Sequence, residues 1–172
     1  MKKPDSIFSF APVTGPNPRI LILGSMPGVR SLVEGRYYAH PRNSFWPIMG
    51  RIVGFDPDAA YAVRLDALRQ AGIALWDVLH SCVRPGSLDS AIADGTRVAN
   101  DFSAFFARYP GIRRICFNGG EAQLSFRRFV APALALGSVD CVRMPSTSPA
   151  HAALSFERKL AAWRTGIRHR QW

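Results

Sequence analysis

The sequence predicts an α/β fold: a three-layer α/β/α sandwich built on a central parallel sheet of four strands. Three observations carry this. Four short apolar runs recur along the 172 residues. Segments of helical character or breaker-rich turns separate each run from the next, and the alternation of strand and helix implies parallel strands covered on both faces. No internal repeat or low-complexity linker divides the chain, so residues 1–172 are expected to form a single domain.

The first run, residues 19–23, ends in the breaker-rich turn Gly24-Ser25-Met26-Pro27-Gly28. A helix is expected over 44–53, preceded by Pro41 and closed by Gly54. Residues 59–70 carry Ala60, Val63, Leu65, Ala67 and Leu68 in an amphipathic pattern and stop at Ala71-Gly72, a C-cap signature. The second strand, 73–75 or slightly longer, leads into Trp76-Asp77. Residues 82–96 are polar and turn-rich and read as a long surface loop. Asn100 or Asp101 caps a helix to about Arg108, and 112–117 is the third strand. Gly119-Gly120 opens a helix holding residues 122–129, and 139–144 is the fourth strand. After Pro145 to Pro149 a last helix is expected over 152–163, with Ser148 a candidate N-cap.

Composition narrows the partners. Hydrophobic residues make up 48% of the chain and charged residues 20%, ordinary for a soluble protein. No apolar run approaches the ~20 residues that span a bilayer, and no secretory signal opens the chain, so a cytoplasmic protein without membrane contact is expected. Lys and Arg number 22 against 12 Asp and Glu, a net of +10, with lysine only at Lys2, Lys3 and Lys159. A GC-rich genome explains a preference for arginine over lysine but not the net charge. Guanidinium forks bidentately onto phosphate, so this excess suits nucleic acid or another polyanion. The clusters Arg113-Arg114, Arg127-Arg128 and Arg164, Arg168, His169, Arg170 are expected mostly on solvated faces. Cys82, Cys116 and Cys141 stand singly; no disulfide framework, metal or cofactor is expected, and Cys116 and Cys141 read as small core residues.

Ligands of open α/β sheets bind beyond the carboxyl ends of the strands. That rule points to the turn after the first strand, the residues around Asp77, and the loop after Met144. The first turn continues into Tyr37-Tyr38-Ala39-His40-Pro41-Arg42-Asn43-Ser44-Phe45-Trp46. Aromatic rings there can stack a base, and asparagine offers a donor and an acceptor together; a buried aromatic helix start accounts for the same residues. Asp77 fits a base contact or a capping role, His80 an exposed loop histidine, and the Ser146-Thr147-Ser148 run an ordinary helix start. Asn118-Gly119-Gly120 fits either a pocket wall or a plain strand-to-helix turn.

The Gly24–Gly28 turn followed by Tyr-Tyr-Ala-His-Pro-Arg-Asn-Ser-Phe-Trp resembles motif 1 of the uracil-DNA glycosylase superfamily, most nearly its hypoxanthine-DNA glycosylase branch. The mismatch-specific uracil glycosylases are similar, with Gly-Ile-Asn-Pro-Gly and a Phe-Ala-His-Pro-x-Asn-x-Phe-Trp block. The likeness runs from about Phe10 to Trp163 and implies the glycosylase version of the sandwich fold. Met26 replaces the catalytic Asn of the mismatch-specific relatives, and a thioether cannot orient water. By the hypoxanthine pattern, that role passes to Asn43. The same resemblance implies that Tyr38 stacks the base and Asp77 reads its edge, with Ser25, Met26 and Asn118 around it. Pro145 to His151 resembles motif 2, with Ser146 where His or Asn usually sits. Ser146 is thus the second catalytic candidate. Pro27, Gly28, His40, Ser146, Thr147, Ser148 and His151 are the candidate DNA contacts.

The implied activity is hydrolysis of the N-glycosidic bond of a deaminated base in DNA, hypoxanthine before uracil or xanthine. No lysine falls in these segments to form a Schiff base, so the expected enzyme is a monofunctional glycosylase; a monomer is expected. A mismatch-specific uracil glycosylase and a catalytically silent lesion-binding protein are the alternatives. A Rossmann-type cofactor enzyme fits poorly, because no Gly-x-Gly-x-x-Gly follows the first strand.

Overall fold

A computed structural model describes residues 5–168. Lys2, Lys3, His169 and Arg170 lie outside the described residues. In chain order the elements are β1 (Ile7–Phe8), β2 (Ile20–Gly24), α1 (Val29–Glu34), α2 (Phe45–Met49), α3 (Tyr61–Gln70), β3 (Ile73–Asp77), β4 (Leu79–Cys82), β5 (Val98–Ala99), α4 (Phe102–Arg108), β6 (Arg114–Asn118), α5 (Gly120–Phe129), β7 (Asp140–Met144) and α6 (Phe156–Arg168). Among the described residues no helix is long and apolar enough to cross a membrane.

The expected four-stranded parallel sheet is present, in the order β3-β2-β6-β7. β2, β3 and β6 are buried along almost their whole length because both faces are covered, whereas β7 exposes Asp140, Cys141 and Arg143. The period of two sorts the side chains. Leu21, Leu23, Trp76, Ile115 and Phe117 pack with Phe102, Phe105 and Phe126 from α4 and α5. Ile20, Ile22, Leu75 and Cys116 pack on the other side with Phe45, Ile48, Leu68, Leu160 and Trp163 from α2, α3 and α6. The chain leaves β2 for β3 on one side and returns to β6 on the other. That reversal is a topological switch point, where a crevice opens at the strand ends.

Several elements differ from the sequence expectation. β1, β4 and β5 form a second, antiparallel sheet, whose strands are too short to show a period. Helix α1 has no apolar stripe to announce it: Val29 and Val33 are exposed and Ser31 is its buried residue. The expected 44–53 helix is α2 followed by a π turn over Gly50–Gly54. α6 starts at Phe156, later than expected, with Ser155 Oγ accepting from the Arg158 N–H, while the Ser148 Oγ accepts from the Ala150 N–H in a separate local turn. Ser148 is therefore no helix cap.

Two surface assignments also change. Arg114 is buried, its guanidinium bonded to the Gly166 carbonyl and to Asp140, so it belongs to the packing of α6 rather than a solvated face. Cys141 is exposed, since β7 is an edge strand, while Cys116 is buried in the sheet.

Candidate active site

The carboxyl ends of β2, β3 and β6 supply Gly24, Asp77 and Asn118 to a single cavity of about 150 Å³. The turn after β2 adds Ser25, Met26, Pro27 and Gly28. Tyr38, His40 and Asn43 come from the block before α2, and Ser146, Thr147 and Ser148 from the loop after β7. The structure thus gathers every sequence-identified candidate except His151, which is half-buried and held by its N–H on the Ser148 carbonyl.

Asp77 dominates the electrostatics. Its side chain is buried, and Oδ2 has no hydrogen-bond partner. Burial pushes the carboxyl up to about 7; the nearby Asp89 carboxylate adds to the rise and the Arg84 guanidinium opposes it. β3 and β2 pair Asp77 with Gly24, and a Cβ on Gly24 would lie 2.5 Å from Asp77 Oδ1. Glycine is therefore required at the end of β2 for the carboxyl to occupy its place.

Tyr38 has φ 54°, the left-handed region that a bulky side chain rarely occupies. Its ring stacks on the buried Phe45 at 3.9 Å between centroids, and its hydroxyl would lie 3.4 Å from a Gly24 Cβ. Burial, first, and the neighbouring Asp77 raise its phenol well above the ordinary range, offset in part by a hydrogen bond with the Asn118 side chain. Tyr37 behind it is a core residue, its hydroxyl donating to the Ala11 carbonyl and its own carbonyl accepting from Trp46 Nε1.

Other candidates are partly committed to the scaffold. Asn43 Oδ1 accepts from the Phe45 N–H at 3.0 Å, holding the start of α2; an amide oxygen retains a second lone pair. Asn118 and Thr147 clasp each other: Asn118 Nδ2 donates to Thr147 Oγ1 at 2.9 Å, and the Thr147 N–H donates to Asn118 Oδ1 at 2.9 Å. Thr147 is fully buried. Its side chain braces the loop from within. The Thr147 carbonyl also accepts from Ser44 N–H and Oγ, locking the two motifs together. Ser146 Oγ accepts from the Ser148 N–H at 3.2 Å and keeps its own proton to donate. His40 Nδ1 accepts from the Arg42 N–H.

Sequence reasoning missed part of this wall. Ser87 and Asp89, from the segment read as a surface loop, line the cavity. Ser25 Oγ donates to Asp89 Oδ1 at 2.7 Å, and the Val29 N–H donates to Ser87 Oγ at 2.9 Å. Arg84 is buried beneath them. Polar, turn-rich composition hides such a segment, because its order comes from side-chain bonds to a distant turn. The lone signal was an arginine followed by Pro85-Gly86.

Residues 11–165 match the family described as the uracil DNA glycosylase superfamily. A Methanosarcina acetivorans protein named hypoxanthine DNA glycosylase is 37% identical over 161 residues, covering 93% of this chain and 97% of its own. A protein of the same name from Methanosarcina barkeri is 41% identical over 114 residues, 66% of this chain and 71% of its own. The solution NMR structure of a Methanosarcina acetivorans protein, provisionally assigned as a uracil DNA glycosylase, superposes with a TM-score of 0.80. That match has 35% identity and covers 96% of this chain and 98% of the other.

Proposed function

The chain belongs to the uracil DNA glycosylase superfamily, and on that premise we propose that it is a monofunctional DNA glycosylase that excises deaminated bases, hypoxanthine first. The observation that carries this reading is the buried Asp77 carboxyl, its Oδ2 unpartnered at a cavity wall that also holds an aromatic ring and an amide. An unpaired buried polar atom is costly, and a ligand with complementary hydrogen bonds relieves the cost.

A base flipped out of the duplex reaches this cavity at a cost of a few kcal/mol, least for a mispaired lesion. There the base stacks on Tyr38 and presents its edge to Asp77. The hypoxanthine edge offers an N1–H donor beside the O6 acceptor. A neutral carboxyl matches both, its carbonyl accepting from N1–H and its hydroxyl donating to O6. The raised titration of Asp77 keeps this form available near neutrality.

Cleavage moves the electron pair of the C1′–N bond onto the base and leaves positive charge on the sugar. The neutral Asp77 stabilises the departing base where an ionised one would repel it. Asn43, through the second lone pair of Oδ1, accepts from a water that forms the new C1′–O bond, and the water's proton ends on the base. Ser146 donates its hydroxyl to the backbone or the base. Pro27, Gly28, His40 and Ser148 meet the DNA strand around the cavity, with His151 further out. We take it to act as a monomer in the cytoplasm.

The test is a duplex carrying one deoxyinosine, treated with alkali after incubation to reveal abasic sites. Wild type is expected to yield them, and Asn43→Ala to be slowed at least ~10²-fold with binding retained. Full activity in Asn43→Ala would remove Asn43 from the mechanism. Tight binding of inosine or abasic DNA with no turnover by wild type would mark a lesion-binding protein instead.

A further inference from the structure

The segment between β4 and β5 holds a charged device that the reaction as described does not use. Arg84 is buried, and its guanidinium serves three backbone carbonyls. Nε donates to Gly86 O at 3.0 Å, Nη1 to Met26 O at 3.4 Å, and Nη2 to Pro27 O. Nη1 also lies 3.6 Å from Asp89, which in turn accepts from Ser25 Oγ at 2.7 Å. The two stretches so joined are nearly sixty residues apart in sequence, and both line the cavity.

Resting on the proposed base-excision reaction, we infer that Arg84 is a positioning residue for the base pocket, fixing the Ser25–Gly28 turn and the Ser87–Asp89 segment in the arrangement that lets both form its wall. The geometry explains why an arginine is used. Its planar fork reaches carbonyls on two strands of chain at once, which the single point charge of lysine cannot. The peptides here are trans, and in a trans peptide the C=O and N–H point in opposite directions. With the Pro27 carbonyl drawn towards the buried guanidinium, the Gly28 N–H is turned away from Arg84, and Gly28 borders the cavity. A carbonyl bonded to a cation also polarises its own peptide, strengthening that N–H as a donor. Arg84 therefore acts through the turn, without touching the substrate.

The same pair sets the field on Asp77. The titratable or charged groups around that carboxyl are Tyr37 and Tyr38 from the block before α2, and Arg84 and Asp89 from this segment. Asn118 and Ser25, which line the same cavity, and Asn100, which donates to the Asp77 carbonyl, carry no charge. Arg84 draws the Asp77 titration down and Asp89 pushes it up.

Full-length wild type, Arg84→Lys, Arg84→Met and Asp89→Asn are compared on a deoxyinosine duplex across pH, with circular dichroism and thermal melting as checks on folding. Arg84→Met is expected to lose about 10²-fold in kcat, as misplaced active-site groups do, with little change in KM, which phosphate contacts dominate. Arg84→Lys should recover part of that loss. The pH midpoint of kcat/KM should move up in Arg84→Met and down in Asp89→Asn, opposite shifts that a general loosening of the fold would not produce. Wild-type kcat and an unmoved midpoint in Arg84→Lys and Asp89→Asn overturn the inference even where Arg84→Met does not fold. Wild type that releases no hypoxanthine removes the functional reading itself; active wild type with indistinguishable variants removes only the role of Arg84.

Discussion

At the scale of single residues, the site turns on Asp77. Its position at the end of a strand was legible in the sequence, and the base-edge role proposed for it comes from the family resemblance. Its protonation was not, because burial beside Asp89 and Arg84 becomes visible only once the chain is folded. A carboxyl raised from an ordinary 3.8 to about 7 binds a proton more tightly folded than unfolded. The penalty it imposes on the fold is absent at low pH, grows as pH rises through that window, and is complete above it. Asp77→Asn keeps the neutral shape, with an amide oxygen to accept from N1–H and an NH₂ to donate to O6. We expect it to retain excision within about tenfold and to abolish the fall of kcat/KM expected of wild type as pH rises through about 7. It should also be more stable than wild type at pH 8 by on the order of a few kcal/mol, an advantage that vanishes towards pH 4. A pH series of rates and denaturant melts checks both. An unchanged pH profile would remove Asp77 from the base edge. Tyr38 shows a second kind of hidden information: the order of the motif revealed an aromatic, but its left-handed backbone was outside any sequence pattern.

At the scale of elements, the four strands and their order of appearance were legible, since β2, β3 and β6 are buried apolar runs and β7, though largely exposed, lies between the breakers Gly137 and Pro145. The antiparallel sheet and α1 were not, because two-residue strands and a six-residue helix are too short to display a period. The expected surface loop is present, but its part in the cavity wall was hidden for a different reason: its order is imposed by Arg84, Ser87 and Asp89 binding a turn far away in sequence. The contact between the β6 turn and the motif 2 loop makes a prediction of its own. Gly119 sits at φ 97° with Ser146 Cβ 3.1 Å from where its own Cβ would be. Gly119→Ala should therefore cost about 1–3 kcal/mol of stability from backbone strain. It should also displace Ser146 and lower kcat/KM by about tenfold. Wild-type melting and kinetics in that variant would show that the two turns are not pressed together in solution.

At the scale of the whole molecule, the sequence carries a net charge of +10 and the fold gathers its unusual residues at one end of the sheet. The charge made a polyanionic partner legible from composition alone, but not the arginines that meet it. Arg114, read as part of a basic face, is a buried packing residue, and Arg84 is a brace within the site. What charge supplies is a phosphate-binding surface without base preference. Selectivity is left to the cavity and to the cost of flipping, which is smaller for a mispaired lesion than for a sound pair.

The most direct measurement is single-turnover excision from four otherwise identical duplexes bearing deoxyinosine, deoxyuridine, deoxyxanthosine or undamaged deoxyadenosine. The expected result is abasic-site formation fastest at deoxyinosine and absent at deoxyadenosine, with no strand cleavage before alkali. No abasic site at any deaminated base, or release of adenine as fast as hypoxanthine, would contradict the assignment.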